Sequence, residues 1–142
     1  MKLNELVEKG FLKKKKVRRE EILNSLKLAK KFLRRAKGNF KINFWDVAFL
    51  LAYNSLFHSA RALLFKHGYK ERSHWAMVLA LKNIYRHDER ITRFLEIIDS
   101  YRISRHAIQY SGEFCSKIDA EEAIKDAEVF LKIVKKTLGE ER

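Results

Sequence analysis

The chain has 142 residues, 46% hydrophobic and 35% charged, with ten Phe, five Tyr, two Trp, no proline and five glycines. That length fits one domain, that apolar mass excludes a disordered chain, and the lack of proline and glycine argues against β-rich, loop-rich folds in favour of long helices. The net charge of +13 is uneven, with +10 in residues 1–37, +5 in 38–111 and −2 in 112–142, so a basic end able to attract nucleic acid or to serve as a solvated face joins a near-neutral body.

Residues 1–16 open with a short amphipathic piece, Leu3, Leu6 and Val7, closed by Gly10 and followed by Phe11, Leu12 and the lysines Lys13 to Lys16; they read as a basic N-terminal arm. Over 17–37 the positions Ile22, Leu26, Ala29, Leu33 and Ala36 recur at spacings of three and four, which makes one helical stripe, and Gly38 is the expected stop. Asn43 is the expected cap of the next helix, which carries Trp45, Ala48, Phe49, Ala52, Leu56, Ala60, Leu63 and Leu64 before Gly68. It is hydrophobic on most sides and hence central. Asp46, Asn54, His58 and Arg61 interrupt it, so it reads as a buried helix and no membrane partner is expected.

Ser73 begins a shorter helix through Trp75, Val78, Leu79 and Ile84. Asp88 begins another through Ile91, Phe94, Leu95 and Ile98 to Tyr110, broken at Ser111 and Gly112. The last helix opens at Asp119 and Glu122 as a capping box and carries Ala123, Ala127, Phe130, Leu131, Val134 and Leu138 before Gly139. Nothing alternates with strand period, and no repeat appears. The expected fold is all-α, an up-and-down bundle of four to five helices, with the arm at 1–16 and the helical domain at 17–142.

One cysteine, Cys115, excludes an internal disulfide, and no leader pattern opens the chain, so a cytoplasmic location is expected. There is no glycine-rich phosphate loop and no Cys/His set with zinc spacing, so neither a cofactor nor a metal is expected. Cys115 lies near Glu113, has no reason to be an activated thiolate and receives no role.

The concentrated chemistry is SYRISRHAIQYSG, where Arg102, His106 and Tyr110 follow at i, i+4 spacing and Arg105 lies three from Arg102. On a helix all four can share one side. Arginine can hold a phosphate, histidine as a residue type can move a proton during phosphodiester cleavage, and tyrosine can bind the phosphate or stack on a base. The bland alternative is a helix end whose arginines pair with acids such as Asp99 while Tyr110 packs under the last loop. A second polar stripe, Asn54, His58 and Arg61, crosses the central helix and either lines the same groove, faces a second subunit, or consists of satisfied core groups.

With LVEKGFLKKKK, LKLAKKFLRRA, AYNSLFHSARALLFKHGYKERSH and RISRHAIQY in this order and spacing, the chain resembles prokaryotic members of the HEPN family over nearly its whole length. The resemblance implies an up-and-down bundle that pairs into a homodimer and a neighbouring minimal nucleotidyltransferase with which it forms a toxin and antitoxin pair. Active members are metal-independent ribonucleases with Arg, four to six residues, then His. Here Arg102 to His106 encloses three residues, and Arg105 to Tyr110 encloses four but ends in Tyr. The favoured expectation is therefore one component of such a pair, binding nucleotide or RNA through the Arg/His/Tyr face with Tyr110, Asn54, His58 and Arg61, because a displaced histidine loses catalytic geometry quickly. The alternative is an endoribonuclease with Arg102 and Arg105 as phosphate ligands and His106 transferring the proton; a purely structural dimerisation domain is the third reading.

Overall fold

The computed structural model describes residues 1–139. In chain order the elements are α1 (Leu3–Glu8), β1 (Leu12–Lys14), α2 (Arg19–Lys41), α3 (Trp45–Lys66), β2 (Tyr69–Glu71), α4 (His74–Ile84), α5 (Glu89–Ser111) and α6 (Lys117–Thr137). The all-α bundle expected from the periodicity is present, with six helices among the described residues and one small two-stranded ribbon.

α3 is the axis. It packs against α2, α4, α5 and α6 and buries Phe49, Tyr53, Leu56, Phe57, Leu63 and Leu64 among them. By length and composition this helix could cross a membrane, but 67% of its most apolar window is buried inside the bundle. Small side chains let α2 and α3 approach closely, and the two buried hydroxyls at their seam are satisfied by the facing backbone. Ser55 Oγ donates to the Ala29 carbonyl at 2.7 Å, and Ser25 Oγ to the His58 carbonyl at 3.0 Å.

The helix ends differ from the sequence reading in three places. Gly38 does not stop α2, which runs through it to Lys41. An interior glycine costs only ~1 kcal/mol, which the packing of Phe40 on Trp45, 5.0 Å between ring centroids, can offset. The chain reverses instead at Asn43, whose φ of +66° is left-handed, and Phe44 is the residue before α3. α6 starts two residues ahead of Asp119 because Ser116 and Asp119 form the reciprocal box, each side chain accepting the other's backbone N–H at 3.1 Å. Ser73 and Asp88 cap α4 and α5 as expected, and Gly112, at φ +65°, ends α5.

The opening segment, read above as an arm, is packed into the bundle. Leu6 and Leu12 are 0% and 1% exposed, Phe11 meets the Trp75 ring edge-on at 4.9 Å, and β1 pairs antiparallel with β2 in the register Leu12 to Glu71. Three residues per strand are too few to display an alternating pattern, so the ribbon left no trace in the periodicity.

Candidate functional site

α5 buries Ile91, Phe94, Leu95 and Ile98 and no later residue, so its second half rides over the surface and frees side chains for other work. Between that half and the start of α4 lies a groove of about 440 Å³ lined by His74, Trp75, Arg102, Ile103, Arg105 and His106. The three residues expected to carry catalysis therefore share one groove. Tyr110 does not line it: 68% exposed, it sits one turn further along, with its ring 4.9 Å from that of His106.

Each cation is held differently. Arg102 Nε donates to Asp99 Oδ1 at 3.1 Å, one turn earlier on the same helix. Arg105 lays its guanidinium 5.1 Å from the Tyr53 ring centroid, and its Nε is buried with no hydrogen-bond partner among the described residues. A buried N–H without an acceptor is costly, and an arginine held over an aromatic face is already oriented.

His74 is the residue that sequence reasoning missed. It is the first residue of α4, after the Ser73 cap, and its ring stacks on Phe57 at 4.0 Å while Nδ1 meets the Tyr53 hydroxyl at 2.7 Å. Burial, and then the charges of Arg105, Arg61, Arg102 and His58, push its pKa down to about 4. His74 is where the polar stripes of α3 and α5 meet. A polar residue at the mouth of an apolar helix was the available signal, but its partner Tyr53 lies 21 positions away inside an apolar run.

The α3 stripe is partly committed to structure. Arg61 forks onto Glu71, Nε to Oε1 at 2.7 Å and Nη2 to Oε2 at 2.9 Å, with its guanidinium 4.7 Å from the Phe57 ring. His58 stacks on Phe32 of α2 at 5.4 Å, its Nδ1 is buried without a partner among the described residues, and burial followed by Arg61 lowers its pKa to about 4. Asn54, half-buried, lies one turn before His58. Three arginines thus face this region against two carboxylates: Arg61 is paired with Glu71 and Arg102 with Asp99, so the surplus positive charge is that of Arg105. Among the described residues no group of three His, Cys, Asp or Glu side chains is placed to hold a metal ion. Cys115 is buried, and burial followed by Asp119 and Asp46 pushes its thiol up to about 11.

Two depressed histidines give an acid-side prediction. Both protonate near 6.5 when unfolded and near 4 when folded, so the unfolded chain binds more protons between those values. The stability they contribute is complete above pH 6.5 and declines as pH falls toward 4. Thermal melts from pH 7.5 to 4.5 are expected to show a falling midpoint, with a shallower fall in His58→Gln and His74→Gln. Equal slopes in all three proteins would contradict this.

A family model for the HEPN domain matches residues 22–137, which span the helices that build the groove. The chain belongs to the HEPN family. A relative from Methanocaldococcus jannaschii, named "putative toxin", is 31% identical over 125 residues, covering 86% of this chain and 92% of that one. In this HEPN domain the groove departs from an Arg and His motif read along one helix, because His74 enters from α4 and faces Arg102 and Arg105 across the opening.

Proposed function

We propose that this HEPN domain is the toxin component of a two-component pair in the cytoplasm and binds a phosphate group of RNA or of a nucleotide in the groove between α4 and α5. The observation that carries this reading is Arg105, a cation over the Tyr53 ring with a buried Nε–H that has no hydrogen-bond partner among the described residues. An oxyanion supplies the missing acceptor, and hydrogen bonds to charged groups contribute about 1.5–3 kcal/mol each. Family membership and the name of the archaeal relative support the toxin role. The partner is a minimal nucleotidyltransferase, and the domain acts as a homodimer; co-purification and light scattering test these two statements separately.

The direct test is binding of a short RNA at several salt concentrations. Arg105→Ala is expected to weaken binding about tenfold or more, while Lys14→Ala, on the exposed ribbon, leaves it within about twofold. Equal affinity in wild type and Arg105→Ala would overturn the groove as the site. Metal-independent cleavage is the second reading, favoured by His106 sharing the groove with both arginines. Cleavage that disappears in both His106→Ala and Arg102→Ala would establish it.

A further inference from the structure

His74 is neutral at neutral pH, and its tautomer follows from its neighbour. Tyr53 is fully buried, its hydroxyl is held protonated by burial with a pKa of about 12, and His74 Nδ1 is the partner that hydroxyl has. If Nδ1 donated instead, the buried hydroxyl hydrogen would lack an acceptor, which is costly. Tyr53 therefore donates to Nδ1, and the proton of the neutral ring sits on Nε2. The stacking of the imidazole on Phe57 keeps that N–H in place at the groove.

We propose that His74 is a phosphate ligand, its Nε2–H donating beside the unpartnered Nε–H of Arg105 to one oxyanion, with Tyr53 as the positioning residue that fixes the ring. The proposal rests on the groove being a phosphate site and names a ligand from a different helix than the arginines. It has a consequence that a purely structural histidine lacks. In the empty groove the groups around His74 are Arg102, Arg105, Asp99 and His106 on α5, Tyr53, His58 and Arg61 on α3, and Glu71 on β2 paired to Arg61; cations outweigh carboxylates there. An anion against Nε2 reverses that balance, so His74 gains affinity for a second proton and binding takes up a proton as pH falls.

The test uses the full chain and inorganic sulfate, whose charge does not change in the range. If the bound ring titrates near its ordinary 6.5 and the empty one near 4, binding is about tenfold tighter at pH 5.5 than at pH 7.5. Calorimetry in buffers of different ionisation heat is expected to count proton uptake in the wild type, so the proposal does not depend on any variant folding. Lys14→Ala, outside the groove, keeps that uptake, His74→Gln removes it and weakens binding about tenfold, and Tyr53→Phe weakens binding roughly twofold to tenfold. Uptake that survives unchanged in His74→Gln would overturn the proposal while leaving the groove an anion site. No binding of sulfate at any pH would overturn both. An RNA with hydroxyl ends and a nucleoside monophosphate, compared in the same way, distinguish an internal diester from a terminal phosphate as the source of the oxyanion.

Discussion

Replacing Arg61 by alanine is expected to lower the folding free energy by about 3–5 kcal/mol, the usual result of removing one partner of a buried ion pair. Glu71 is 7% exposed, and Arg61 meets both of its carboxylate oxygens. Without the guanidinium, that carboxylate is left in an apolar setting without its counter-ion. The arginine also covers Phe57, the ring on which His74 stacks, so the loss reaches the floor of the groove. Lysine supplies the charge but lacks the planar fork, so Arg61→Lys should recover only part of the stability. The double replacement Arg61→Met with Glu71→Leu removes both charges and is expected to be more stable than Arg61→Ala. Urea unfolding of the four proteins decides it, and a loss under about 1 kcal/mol for Arg61→Ala would show that Glu71 finds solvent without its partner.

Leu12→Ala is expected to cost about 2–5 kcal/mol, the usual range for emptying a buried leucine site. Leu12 is 1% exposed although it stands at the edge of the lysine run, and its backbone pairs with Glu71. The same substitution at Lys13 or Lys14, both exposed, should stay within about 0.5 kcal/mol. Removal of residues 1–16 should exceed Leu12→Ala, because Leu6 leaves the core as well and β2 loses its ribbon partner. Thermal and urea unfolding measure these differences. A truncated chain as stable as the whole would return the opening segment to the role of a detachable arm.

The helices were legible because apolar residues recurred at spacings of three and four, and the caps at Ser73 and Asp88 were legible because they precede those runs. Gly38 misled because glycine is a strong local stop, yet the aromatic contact just beyond it carries the helix on to Lys41. In the site, Arg102, Arg105 and His106 line one groove, whereas Tyr110 does not. Tyr110 has nearly the azimuth of His106 and Ile103 but stands ~6 Å past His106 along the helix axis, beyond the end of the groove. His74 and its bond to Tyr53 join residues 21 apart on different helices, and no spacing rule reaches that far.

Along the seam between α2 and α3, Ser55 stands two residues, about 200° around α3, from Tyr53. Ser25 and Ser55 touch the opposing main chain there, so the distance between the two helices is gauged by side chains no larger than a hydroxymethyl group. Any bulkier residue at either position would wedge the pair open and tilt α3, carrying Tyr53 and Phe57 with it. The shape presented to an incoming anion is thereby calibrated from a remote place, and variation at two quiet serines would retune the mouth without altering a single charged group.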